Sequence, residues 1–116
     1  VTYDDFINCA KTFKRKWNYS YGAGSKRIHL LLGLFENMHC RFGFYDHIDG
    51  IIDGSDKWNN DDYLKFYEKL EDMKDNGVFP DNVATMSYDQ SVEAFLGGKA
   101  AMLNSGVWDT KKFDQK

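Results

Sequence analysis

The cysteines and histidines, the nitrogen and sulfur ligands of zinc-type sites, are five: Cys9, His29, His39, Cys40 and His47. Zinc sites are built on spacings such as Cys-x-x-Cys or His-x-x-x-His, which turn two ligands toward one ion. Neither spacing occurs, and the adjacent His39 and Cys40 cannot easily face one ion. No metal site is expected. Cys9 reads as a core residue on a helix face, and the histidines read as loop or surface groups. A Cys9–Cys40 disulfide is conceivable in an exported protein, but two cysteines do not make a disulfide framework.

Hydrolytic chemistry has no better footing. The acid pairs Asp4/Asp5 and Asp61/Asp62 fall at the starts of helical patterns, where they stabilise helix N-termini without any catalytic role. A glycosidase needs two inward-facing carboxylates at a set separation, and nothing marks such a pair. No nucleophile elbow or phosphate-binding glycine motif is present. The run Gly22-Ala23-Gly24-Ser25-Lys26-Arg27 lacks phosphate-loop spacing. It reads as a loop leading into a helix cap, whose free N–H groups could hold a polar ligand. Lys14-Arg15-Lys16 reads as a solvated helix end, and the stripe Tyr63, Phe66, Tyr67 as core. The chain is therefore read as a non-enzyme that needs no cofactor.

The most specific local signal is the stretch Phe95-Leu96-Gly97-Gly98-Lys99-Ala100-Ala101-Met102-Leu103-Asn104-Ser105-Gly106-Val107-Trp108. A helix stops at glycines, a small-residue strand follows, a glycine turns the chain, and a tryptophan stands just beyond. In open α/β layers, ligands bind outside the carboxyl ends of strands. A tryptophan there offers a flat apolar face with one polar N–H. On the residues alone, packing and ligand contact are equally good roles for Trp108.

The elements around it follow from periodicity. Thr2-Tyr3-Asp4-Asp5 is a capping-box-like start, and Phe6, Cys9, Ala10, Phe13 and Trp17 mark one face of a helix from about Tyr3 to Lys16. Asn18 to Ser20 reads as a short strand and Tyr21 to Ser25 as a flexible loop. A very apolar helix follows from about Lys26 to Met38. The stretch from Cys40 to Trp58 shows no helical period. Phe42, Phe44 and Ile51-Ile52 read as short strands joined at Asp49-Gly50 and Asp53-Gly54. Asn59 or Asn60 caps a helix carrying Tyr63, Phe66, Tyr67, Leu70 and Met73, closed by Gly77. Ser87-Tyr88-Asp89-Gln90 opens a last short helix carrying Tyr88, Val92, Phe95 and Leu96. The expected core is Phe6, Phe13, Leu31, Leu32, Phe35, Phe66, Leu70, Phe95 and Met102.

With 116 residues, this is one domain or part of one. A net charge of -3 argues against a nucleic-acid module, which would show a basic patch or stripe. Apolar residues at 42% and charged residues at 28% are ordinary globular usage and argue against disorder. No segment approaches the roughly 20 apolar residues of a membrane span. The chain opens at Val1 directly on a helix-start pattern and closes on the charged stretch from Lys111 to Lys116. It is expected to be a piece of a longer protein.

The string Phe-x-x-Gly-Lys-Ala-Ala-Met-x-x-x-Gly-x-Trp, running from Phe95 to Trp108, resembles the hallmark of extracellular solute-binding proteins of the sugar-transport type, the maltose-binding-protein-like group. The segment Thr2 to Phe6 is similar to that family's lead into the helix after its first hinge crossing. The order of helices, glycine-rich excursion and strand also matches. The resemblance implies an α/β fold in which residues 1–116 form a single, predominantly helical partial domain. This would be most of the second lobe of a periplasmic-binding-protein-like receptor, with four to five helices and a few short strands. It implies a receptor that closes on a sugar or oligosaccharide and delivers it to the permease of an ABC importer. It also implies an extracytoplasmic location and a lipid anchor carried by the full-length protein. By position, Trp108 matches the aromatic residue that stacks on a sugar ring, and Gly106 matches the turn that lets the ligand approach. Ser25 and Arg27 fall where cleft-lining residues start a helix. Val107 stands where several relatives have proline. The alternative is a helical protein-interaction module of a surface protein.

Overall fold

A computed structural model describes residues 2–16, 19–22 and 36–114 of the chain. These residues are predominantly helical. Helix α1 spans Tyr3–Lys16, α2 Phe44–Asp53, α3 Asp61–Asp75, α4 Tyr88–Leu96 and the short α5 Thr110–Phe113. Strands β1 (Tyr19–Gly22) and β2 (Ala100–Leu103) pair in parallel, with Tyr19 opposite Ala100 and Gly22 opposite Leu103. Both strands therefore end at the same edge. Helix α4 packs across both strands and α1 packs against β1. A side chain at Gly22 would meet the Ser91 carbonyl of α4 at 3.1 Å, so the absent Cβ lets this helix lie close to the sheet.

The expected helix starts form as capped ends. The Asp5 N–H donates to Thr2 Oγ1, and the Thr2 N–H donates to Asp5 Oδ2. Asn60 caps α3 by accepting from the Tyr63 N–H at 2.9 Å. Ser87 and Gln90 form a reciprocal capping box on α4. Each such cap satisfies helix donors that would otherwise lack partners, and is worth about 1 kcal/mol.

Packing turns α1 further round than its sequence pattern indicates. Ile7 and Ala10 are buried, Phe6 and Phe13 are half-buried, and Cys9 is exposed. Met73 and Val78 complete this cluster, flanked by Tyr3, Met38, Leu70 and Phe79. A second cluster joins Met86, Ala94 and Ala100, with Phe95 beside them. Of the expected core, Phe66 is fully buried; Phe6, Phe13, Leu70, Phe95 and Met102 are half-buried; Leu31, Leu32 and Phe35 lie outside the described residues. Cys9 and Cys40 are both exposed free thiols.

The region expected to hold short strands is helical. Phe44, His47, Ile48 and Ile51 lie at i, i+3, i+4 and i+7, and this period makes α2. Gly50 sits inside the helix because the following loop folds back onto it. The Asp56 N–H donates to the Gly50 carbonyl at 2.8 Å, and a Cβ there would meet that of Asp56 at 2.9 Å. Gly54 is no hairpin turn. It ends α2 in the left-handed region, at φ 85°, where glycine carries no Cβ penalty.

Two histidines depart from their expected surface roles. His39, only 8% exposed, stacks on Phe66 at 4.5 Å and contacts Tyr63 and Phe44. Its Nε2 has no hydrogen-bond partner among the described residues, and burial lowers its pKa. His47 bridges two carboxylates, with Nδ1 2.5 Å from Asp56 and Nε2 3.1 Å from Asp62. The hydrogen bonds to Asp62 and Asp56 raise its pKa, and those to His47 lower the pKa of both acids.

The pH dependence of the bridge follows. A raised imidazole pKa stabilises the fold fully below the unfolded value near 6.5 and loses that stability as pH rises through the folded value. The lowered carboxyl values set the acid limit. His47→Gln should therefore reduce the melting temperature most at pH 5 to 6, with the difference from wild type closing toward alkaline pH. A difference constant from pH 5 to 9 would contradict a charged bridge.

Candidate functional site

Beyond β2 the chain turns through Gly106, where the Asp109 N–H closes on the Gly106 carbonyl at 3.1 Å. Val107–Asp109 then forms a single 3-10 turn that leads into α5. The turn leaves its two larger polar-tipped side chains in different surroundings. Asp109 is 1% exposed, whereas Trp108 is 66% exposed.

The buried carboxylate organises the site. Ser105 Oγ donates to Asp109 Oδ2 at 2.5 Å, Tyr88 also donates to Oδ2, and Lys112 Nζ lies 2.9 Å from Oδ1. Burial acts to raise the Asp109 pKa, but the hydrogen bonds from Ser105, Tyr88 and Lys112 outweigh it and hold it below the usual carboxylate value. Asp109 thus stays ionised and fixes its neighbours. The Trp108 indole N–H donates to the Tyr88 hydroxyl oxygen at 2.7 Å. Tyr88 and Ser105 oxygens are themselves 2.7 Å apart, and each hydroxyl has one proton to give. Both protons go to Asp109, so the Trp108 N–H is linked through the Tyr88 hydroxyl to the carboxylate, which only accepts.

Trp108 is thus an exposed ring with a tethered edge. One part of it lies over Gly106. A Cβ there would fall inside the van der Waals envelope of the ring, at 2.7 Å from Cε3 and closer still to its outer atoms. Gly106 has φ −121° and ψ −179°, ordinary extended backbone, so space rather than conformation calls for glycine here. Gly106→Ala should push the indole off this seat and break its bond to Tyr88, with little backbone cost. The Trp108 indole N–H resonance reports it, and an unshifted resonance would contradict the packing.

A cleft of about 560 Å³ adjoins the turn, lined by Phe95, Leu96, Leu103, Ser105, Gly106 and Phe113. That volume is within the range of small-molecule sites, about 300–1,000 Å³. Ser105 and Gly106 belong to both the cleft and the turn that carries Trp108.

Of the residues read from sequence, Trp108 and Gly106 are brought together. Ser25 and Arg27 lie outside the described residues. The strand leading toward them, β1, ends at Gly22 beside Leu103. Tyr88, Ser105 and Asp109 were not singled out by sequence reasoning. In the sequence Tyr88 falls on a helix face, and its place as the first residue after a capping serine gives no sign of a partner beyond β2. Among the described residues, no group of three or more His, Cys, Asp or Glu side chains is placed to hold a metal ion. No described helix is long and apolar enough to cross a membrane. No family model, curated protein or solved structure matches the chain.

Proposed function

We propose that this chain is most of the second lobe of a solute-binding receptor that takes a sugar or oligosaccharide and presents it to the permease of an ABC importer. The receptor works outside the cytoplasm, lipid-anchored through its full-length form, and performs no catalysis. The observation that carries the reading is the Trp108 ring, held by its N–H and its seat on Gly106 yet largely open to solvent. A pyranose has one face of C–H groups, and an indole face matches it by dispersion and apolar burial. A ring fixed before binding loses little side-chain entropy when the sugar arrives. Further support comes from the parallel strands, whose carboxyl ends share one edge. The cleft beside Trp108 supplies the Ser105 hydroxyl and apolar walls.

Trp108→Ala tests the reading by splitting two measurements. Saccharide affinity of the receptor should fall about ten- to a hundredfold, since burying a large apolar group is worth roughly 1.5–3 kcal/mol. The melting temperature should barely move, because removing an exposed side chain leaves no core cavity. Unchanged affinity would remove Trp108 from the ligand site.

The alternative, a helical interaction module, draws on the exposed Tyr45, Ile52, Trp58, Leu64 and Tyr67 of α2, α3 and the loop between them. Large exposed apolar patches mark association surfaces. It predicts concentration-dependent sedimentation that Trp58→Ser and Tyr67→Ser abolish and saccharides leave unchanged.

A further inference from the structure

A second cavity, of about 420 Å³, is lined by Tyr3 and Phe6 of α1, Met38, Arg41 and Phe42 of the segment before α2, and Lys69 and Met73 of α3. None of these residues belongs to the Trp108 site. Met73 is buried, while Tyr3, Phe6, Met38 and Phe42 are half-buried, so an apolar concavity remains uncovered by the described residues. Its only charged lining side chains among the described residues are two cations. Arg41 is exposed, and neither it nor Lys69 has a carboxylate within ion-pair distance among the described residues. Lys69 Nζ instead stands over the Tyr3 ring, 4.1 Å from its centroid. The nearby acid Asp72 is occupied by the Tyr3 hydroxyl at 2.7 Å and by Asn76 at 2.9 Å. In a chain of net charge -3, this concavity is lined by two cations and, among the described residues, by no acid.

We propose that this cavity binds a single-chain amphiphile with an anionic head, of the medium-chain carboxylate class, its tail against Met73 and Phe6 and its head between Arg41 and Lys69. The two halves of such a ligand match the two halves of the lining. Water would gain nothing from the apolar wall, whereas each buried methylene improves affinity about two- to fourfold. A methylene takes about the volume of one water molecule, about 30 Å³. The cavity therefore has room for an alkyl tail. Guanidinium receives a carboxylate with two parallel N–H donors, and the Lys69 ammonium adds a point charge.

The test is calorimetric titration of the whole chain with dodecanoate below its micellar concentration, with methyl-labelled methionines read by NMR. Dodecanoate should bind with 1:1 stoichiometry, shift the Met38 and Met73 methyls, and bind more tightly than decanoate and octanoate in steps of about two- to fourfold per methylene. Arg41→Gln with Lys69→Gln should weaken dodecanoate at least tenfold in a variant that still unfolds cooperatively, with only the small stability loss of the Lys69–Tyr3 contact. Dodecanol should bind that double variant and the wild type equally. Vesicles of anionic phospholipid separate a free carboxylate from a lipid headgroup, and no retention on them is expected. Unmoved Met38 and Met73 methyls, dodecanoate affinity unaffected by the double substitution, or vesicle binding in place of dodecanoate binding would each overturn the proposal.

Discussion

Asp109→Ala should destabilise the chain by about 2–4 kcal/mol and release the Trp108 ring. The carboxylate is 1% exposed and is the common acceptor for Ser105, Tyr88 and Lys112. Alanine strands two hydroxyls and one ammonium, and each buried group left unpaired costs roughly 1–3 kcal/mol. The half-exposed Lys112 turns to water and reduces the total. Tyr88 then loses the acceptor that orients its hydroxyl, so the Trp108 N–H loses a fixed partner. Denaturant unfolding measures the first effect and the indole N–H resonance the second. Acid should produce the same failure in the wild type. The Asp109 pKa is held low, so its contribution is present above the unfolded value near 3.9 and is lost as pH falls through the folded value. A loss below about 0.5 kcal/mol, the range of ordinary surface substitutions, would show that Asp109 does not organise the turn.

Phe66→Ala should cost more, about 3–5 kcal/mol, the range for deleting a buried aromatic ring. Phe66 is fully buried in α3, stacks on His39 at 4.5 Å and packs near Phe42 and Tyr67. Domains are stable by only about 5–15 kcal/mol, so this substitution removes much of the total. It also has a specific second readout. The ring covers an imidazole whose Nε2 lacks a hydrogen-bond partner among the described residues and whose pKa burial lowers. Opening that face to water should return the His39 pKa toward 6.5. An NMR titration of the His39 ring protons distinguishes this from a general loss of stability. An unchanged His39 pKa in a folded variant would mean that Phe66 does not shield it.

Helix starts were the most legible part of the sequence, because a cap is a local device. Thr2 with Asp5, Asn60 with Tyr63, and Ser87 with Gln90 each need only residues within one turn. The strand from Ala100 to Leu103 and the turn at Gly106 were legible for the same reason. Face assignment was less so. Cys9 fits a helical period, yet the neighbours supplied by α3 lie on the Ile7–Ala10 side. Helix α2 was hidden by its glycines, since Gly50 is there for a returning loop that is not visible in a local pattern. At the site, Trp108 and Gly106 stood out by residue type. Their support did not, because Tyr88 and Asp109 are 21 residues apart and meet only after α4 and β2 fold against each other. His39 and His47 carried no signal, since one is placed by ring packing and the other by carboxylates 9 and 15 residues away.

The claim that Trp108 is a saccharide platform is tested most directly by an NMR titration of residues 1–116 with simple sugars and oligosaccharides, following the Trp108 indole N–H. On the proposed reading residues 1–116 carry half of a closing cleft, so saturable binding should be weak, near millimolar, or about −4 kcal/mol. With at least one saccharide the Trp108 resonance should move first and furthest, with Ser105 beside it, while Trp58 stays in place. A Trp108 resonance that no saccharide moves at concentrations well above millimolar, or saccharide binding that persists unchanged in Trp108→Ala, would contradict the account.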